Sequence, residues 1–276
     1  MKWRESRRST NVQSRGGPGG LAIGGGAGLI ITVIALLLGV NPGEILNQGP
    51  ATDGQAPPLA ENDTMVQFVE HILGDTEDTW NAIFTKMGRE YVEPKLNIFS
   101  GSVSSACGVA GEAVGPFYCA RDQQVYIDLS FYEDLRTRFG APGDVAQAYV
   151  IAHEVGHHVQ NLMGLADQVA NAQQGASGAT ANRLSVRMEL QADCFAGIWA
   201  NNADRQRHLL EIGEVKEALG AAAAIGDDRL QQESQGRVSP ESFTHGSSEQ
   251  RVRWFNRGYE TGDVKQCDTF GQGVVL

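Results

Sequence analysis

The stretch His153-Glu154-Val155-Gly156-His157 is an H-E-x-x-H motif. Four residues along an α-helix turn the chain by roughly 400°, so the two imidazoles stand about 40° apart on one face and one turn apart in height, close enough to share a metal ion. Glu154, one position round from His153, can reach a water on that metal without ligating it. A catalytic zinc site uses three protein ligands and keeps one position open, so a third donor must come from elsewhere. Glu189-Leu190-Gln191-Ala192-Asp193 places two carboxylates at i and i+4, again on one helix face. Glu189 is assigned to the zinc ion, and Asp193 to accepting the N–H of a ligating histidine, which fixes its tautomer and raises its basicity. Leu190, Ala192, Cys194, Phe195, Ala196 and Ile198 make this stretch too apolar to be an acidic stripe in solvent.

The elements that must carry these residues follow from apolar spacing. A helix is expected from Asp144, a suitable N-cap after Pro142-Gly143, to Leu165, and others over about 179–201, 205–234 with a break near Gly226, and 247–258. An amphipathic helix over 64–87 presents Val66, Val69, Ile72, Leu73, Trp80, Ile83 and Phe84. Two strands are expected, in 91–101 and 123–132. In the second, Val125, Ile127 and Leu129 alternate with Tyr126, Asp128 and Ser130, and strand 125–131 is a candidate for pairing edge-on with an extended substrate. The body, residues 64–276, is thus α+β and mainly helical, with a small β-sheet. His158, about 140° round the helix from His153, points away from the ligand pair and toward solvent or a carbonyl. Tyr149 reads as a core aromatic, and His71 and His208 as surface residues.

The chain has 276 residues, 22 Lys and Arg against 33 Asp and Glu, and a formal charge of -11. The acidic body argues against nucleic-acid binding. Its basic residues are concentrated at the start, where Lys2, Arg4, Arg7, Arg8 and Arg15 face the single acid Glu5. The uncharged stretch Leu21 to Val40 is long enough for one bilayer crossing. No small-x-small cleavage site follows it, so a retained transmembrane helix is preferred over a cleaved signal. The positive-inside rule then puts a basic tail, 1–20, in the cytoplasm and everything beyond Val40 outside it. Residues 41–63, rich in Pro, Gly, Ala and Asn, read as a flexible linker. The Gly-rich stretch 16–28 lacks the G-K-[ST] ending of a phosphate loop.

Four cysteines fit an oxidising compartment. Cys107 and Cys119 flank a Gly-rich loop and close a short ring, which favours that pair and leaves Cys194 with Cys267 as a clasp on the C-terminal tail. The alternative keeps 194 and 267 as buried free thiols.

His153-Glu154-x-x-His157 followed by Glu189-x-x-Ala192-Asp193 resembles the gluzincin class of zinc peptidases, particularly its integral-membrane branch. Thr244-His245-Gly246 through Arg251 resembles that branch's T-H-P-x-x-x-x-R segment, with Gly246 in place of the proline. The resemblance implies a zincin-like fold in which His245 and Arg251 face the metal cleft, His245 to stabilise an oxyanion and Arg251, with Asp193, to support the metal ligands. Asn11-Val12, the single apolar span, Gly115-Pro116-Phe117-Tyr118-Cys119, Tyr126-Ile127-Asp128-Leu129-Ser130-Phe131 and Phe243-Thr244-His245-Gly246 together resemble a bacterial family of neutral zinc metallopeptidases, the YpfJ-like proteins.

The expected function is a zinc endopeptidase on the outer side of a bacterial cytoplasmic membrane, acting on protein or peptide substrates, with Zn2+ as cofactor and Glu154 as general base. Two rivals are an inactive interaction protein that keeps zinc as a staple, and a zinc amidohydrolase acting on cell-wall peptides.

Overall fold

The structure, a computed structural model, describes residues 1–14, 63–111 and 115–276. The expected transmembrane helix at 21–40, and the linker apart from Asp63, lie outside the described residues. Among the described residues no helix is long and apolar enough to cross a membrane.

In chain order, the described elements are strand β1 (Val12–Ser14), helix α1 (Thr64–Lys86), strands β2 (Lys95–Phe99), β3 (Ser102–Ser105), β4 (Gly108–Gly111), β5 (Phe117–Cys119) and β6 (Gln124–Asp128), and then helices alone. These are α2 (Ser130–Thr137), α3 (Asp144–Leu162), α4 (Leu165–Gln173), α5 (Gly178–Arg205), α6 (Val215–Ala224), α7 (Asp227–Gln235) and α8 (Ser248–Thr261). The fold is α+β and mainly helical.

Helix α3 is its axis. Val145, Ala148, Tyr149, Ile151, Val155 and Val159 are fully buried, because α5, α6 and α1 cover it on several sides. It begins one residue earlier than the sequence implies: Gly143 takes the cap position without a side-chain bond, and Asp144 opens the first turn, where a carboxylate complements the helix dipole. Gly156 marks where α3 crosses α5. A β-carbon there would lie 3.0 Å from the carbonyl oxygen of Ala192, tighter than ordinary contact, so a larger residue would press the two backbones apart by a few tenths of an ångström. Helix α1 is tied to α5 by the buried Asp75, which accepts from Trp199 Nε1 at 2.7 Å and from Arg207 Nη2 at 2.7 Å, and by Trp80 set edge-on to Phe195 at 5.3 Å.

The sheet order is β1-β2-β6-β5, with β1, β2 and β6 parallel and β5 antiparallel to β6. Strand β6 is therefore interior, its backbone already paired on both sides, and the expectation that it offers an edge to an extended substrate does not hold. Residues 130 and 131, expected in that strand, open helix α2 instead. The polar side of β6 is also covered. Tyr126 stacks on Phe117 at 4.7 Å, and Asp128 accepts the backbone N–H groups of Gly101 and Ser130. A second small sheet, β3 with β4, is fastened to β5 by the Cys107–Cys119 disulfide. Cys194–Cys267 joins α5 to the short turn of helix Val264–Cys267, so both expected pairs form and no described cysteine is free.

The first 14 residues differ most from expectation. Rather than standing apart as a tail, they lie on the body. Val12, Gln13 and Ser14 pair in parallel with Leu96, Asn97 and Ile98, and Trp3 is buried against Phe68 and His71 of α1. His71, expected on the surface, is half-buried beneath this segment, its Nδ1 2.8 Å from the Ser6 carbonyl oxygen.

Candidate metal centre

Helix α3 supplies His153, Glu154 and His157, and α5 supplies Glu189 and Asp193. Because the helices cross at Gly156 and Ala192, both imidazoles and both carboxylates meet at one level. Donor atoms of His153, His157 and Glu189 all lie within 4.8 Å of one another. His153 Nε2 is 3.2 Å from Glu189 Oε2, and His157 Nε2 is 3.4 Å from Glu189 Oε1.

The far nitrogen of each ring is held by an acceptor. His153 Nδ1 donates to Asp193 Oδ1 at 2.9 Å, and His157 Nδ1 to Gln160 Oε1 at 2.9 Å. Gln160 can only present its oxygen there, since its amide nitrogen is spent on the Met188 carbonyl at 2.7 Å and on Gln191 Oε1 at 3.0 Å. Gln191 in turn donates to the Cys267 carbonyl at 2.9 Å. With both Nδ1 atoms protonated toward acceptors, both Nε2 lone pairs face the Glu189 carboxylate. These three groups could share one cation, and two imidazoles with one carboxylate are a donor set that suits zinc.

In the metal-free chain a proton does part of that work. Burial disfavours a charged His153, but Asp193 and Glu189 outweigh it and hold its pKa up at about 10. Burial likewise opposes the two carboxylates. His157, His245 and His153 nevertheless keep Glu189 well below the usual range, and Arg251 with His153 brings Asp193 to about 2. Glu154 behaves oppositely: burial pushes its pKa up against the pull of His153 and His157. It is 8% exposed, and among the described residues no group hydrogen-bonds its carboxylate.

Arg251 is buried beside Asp193 rather than lining the cleft, with Nε meeting Asp193 Oδ2 at 2.8 Å and Nη2 meeting Oδ1 at 2.9 Å, so it supports the carboxylate that holds His153. Tyr149, in the core, donates to the same Asp193 Oδ1 at 2.5 Å. Arg251 reaches this position because a capping box, Ser247 with Gln250, starts α8 one turn before it.

His245 approaches from the segment before α8, near enough for Glu189, together with Asp227, to raise its pKa against the effect of burial. Asp227 holds it. Oδ2 accepts the backbone N–H groups of Thr244, His245 and Gly246 at 2.7, 2.7 and 3.0 Å, and Oδ1 lies 3.3 Å from His245 Nδ1. Gly246 has φ of 95°, outside the range a proline can adopt, so the turn differs from that of the T-H-P segment. His158 is fully buried, bonded to the Val92 carbonyl at 2.6 Å and to Tyr118 Oη at 3.0 Å, and burial lowers its pKa to about 4.

With this geometry in hand, the comparisons with known proteins are decisive about family. Residues 1–270 match the sequence family described as "Putative neutral zinc metallopeptidase". The chain belongs to that family. It is 49% identical to the protein named "Uncharacterized protein YpfJ" of Escherichia coli (strain K12), over 99% of this chain and all of that one. It is 44% identical to "Uncharacterized protein Mb2605" of Mycobacterium bovis, over 86% of this chain and 85% of its relative. No solved structure matches it. The match begins at residue 1, so this zinc metallopeptidase family includes the N-terminal segment that packs on the body.

Two residues of the site escaped sequence reasoning. Gln160 stands at i+3 from His157, a spacing that puts the two side chains side by side and was a usable signal. Asp227, first in α7 after Gly226, looks like an ordinary acidic helix start. Only the return of the chain at 244–246 gives it a second role.

Proposed function

We propose that the protein is a zinc-dependent endopeptidase. The observation that carries this reading is the convergence of His153, His157 and Glu189 donor atoms within 4.8 Å, beside a buried carboxylate, Glu154, that no described group hydrogen-bonds. The three donors would hold the ion, Asp193 and Gln160 orienting the imidazoles. Bound there, zinc would polarise the scissile carbonyl and lower the pKa of water from 15.7 to about 7.

The chain's own groups do the rest. Glu154, its pKa raised by burial, takes the proton of the attacking water and returns it to the leaving amine nitrogen. His245, with Nδ1 facing Asp227, directs its Nε2–H at the oxyanion of the tetrahedral intermediate. A groove of about 690 Å³, lined by Asn182, Arg183, Val186, Phe243 and Gln250 among others, flanks both α5 one turn before Glu189 and the His245 segment. Two disulfides support a body outside the cytoplasm, and the apolar stretch 21–40 supports an association with the bacterial cytoplasmic membrane.

The test is peptide cleavage by the wild type and by Glu154→Gln, with zinc content measured in parallel. The reading expects full zinc and a loss of turnover of at least about 100-fold in the variant. Equal cleavage by both would remove Glu154 as the base.

A further inference from the structure

The N-terminal segment is seated in a site that the body builds for it. Glu77 of α1 is fully buried, and its hydrogen-bonding and charge partners come from this segment: Ser9 Oγ at 2.7 Å and Asn11 Nδ2 at 2.9 Å on Oε1, and Arg7 Nη2 at 2.8 Å from Oε2. Arg7 also meets Asp78 at 2.7 Å, and Arg8 pairs with Glu70. Backbone bonds add Ser9 N to the Glu70 carbonyl, Leu96 N to the Asn11 carbonyl and Lys2 N to the Leu209 carbonyl. At Gly74 a β-carbon would lie 2.6 Å from the Arg7 carbonyl oxygen, so a side chain at this position of α1 would displace the N-terminal segment. Without residues 1–14 the body would hold an unpaired buried carboxylate, an empty Trp3 pocket and an open β2 edge, three unfavourable features at once.

We infer that residues 1–14 are an integral part of the catalytic body and lie on the same side of the bilayer as the metal centre. Two of the arginines that counted as a positive-inside signal, Arg7 and Arg8, are instead used in ion pairs with α1. Between Ser14 and Asp63 the sequence holds one apolar stretch, long enough for a single crossing and too short for two. Residues 41–62 carry Glu44, Asp53, Glu61 and several prolines, so they cannot return across the membrane. A chain whose two ends share one side crosses an even number of times, and the sequence between them offers no second span. Nothing in this inference depends on zinc or on catalysis.

The experiment uses the full chain in bacterial cells whose outer layers admit small reagents. Thr10→Cys and Ile212→Cys each place a single reactive thiol at an exposed position, the four native cysteines being paired. Each is treated with a membrane-impermeant maleimide before and after lysis, with full labelling of denatured protein as the reference. The inference expects the two thiols to share a pattern, both reacting in intact cells or both only after lysis. Reaction of one in intact cells with protection of the other until lysis places them on opposite sides and overturns it.

Discussion

One carboxylate, Asp193, serves His153 and Arg251 together: its Oδ1 accepts from His153 Nδ1 at 2.9 Å and from Arg251 Nη2 at 2.9 Å, while Oδ2 takes Arg251 Nε at 2.8 Å. The buried guanidinium offsets the charge that Asp193 brings into the core, which leaves the carboxylate ionised to orient the imidazole. Asp193→Asn should therefore cost twice. Removing one partner of a buried, hydrogen-bonded pair is expected to destabilise the chain by about 3–5 kcal/mol, and losing the oriented imidazole to weaken zinc binding about 10–100-fold. Urea denaturation and a chelator competition titration measure the two effects separately.

At Gln160 two variants that lose the same amide donor to Met188 and Gln191 differ in whether they keep the acceptor on His157. Gln160→Leu removes the acceptor on His157 Nδ1 and should weaken zinc about 10-fold or more, whereas Gln160→Glu keeps an acceptor oxygen and should retain more of the affinity. The same competition titration reads both, and equal affinities for the two variants would mean that Gln160 does not orient the ring.

The metal-free chain should respond to pH in a defined sense. The folded pKa of His153, about 10, lies above the ordinary histidine value, so its contribution to stability is complete below about pH 6.5 and is lost as pH rises through 10. Asp193 and Glu189 have depressed values. Their contribution is present above about pH 4 and is lost as pH falls, for Asp193 through about 2. Zinc must displace the His153 proton, so its affinity should rise at least about tenfold per pH unit near neutrality, with about one proton per ion released from His153 at pH 8 and a further one as the bound water ionises. Calorimetry in buffers of different ionisation enthalpy counts those protons.

Cys194 follows Asp193 directly, and its bond to Cys267 closes a 73-residue separation. Replacing Cys267 by Ser should lower stability by about 2–4 kcal/mol in an oxidising buffer and by little under full reduction. Because the Cys267 carbonyl also receives Gln191, the variant should bind zinc more weakly than its loss of stability alone implies. Thermal unfolding with and without reductant, paired with zinc titration, tests this.

What could be seen in the sequence was local. Periodicity located α1, α3 and α5, the i, i+4 spacings found the two imidazoles and the two carboxylates, and Gly226 marked the break between α6 and α7. What could not be seen depends on partners distant in the chain. Strand β1 is three residues of a polar, basic segment, and it is a strand because β2 lies beside it. Strand order made β6 interior, and no pattern within residues 123–132 carries that information. Arg251 shared a motif with His245, but the capping box that starts α8 turned it into the core. Asp227 acquired its role only when residues 244–246 came back across the start of α7.

Two imidazoles and one carboxylate would hold a single zinc ion with one corner open, and a crystal structure of the zinc-loaded chain decides whether they do. It should show the ion about 2.0–2.1 Å from Nε2 of His153 and of His157 and about 2.0–2.2 Å from a Glu189 oxygen, with water or substrate analogue as the fourth ligand. Zinc bound elsewhere, or a fourth protein side chain closing the site, would contradict it.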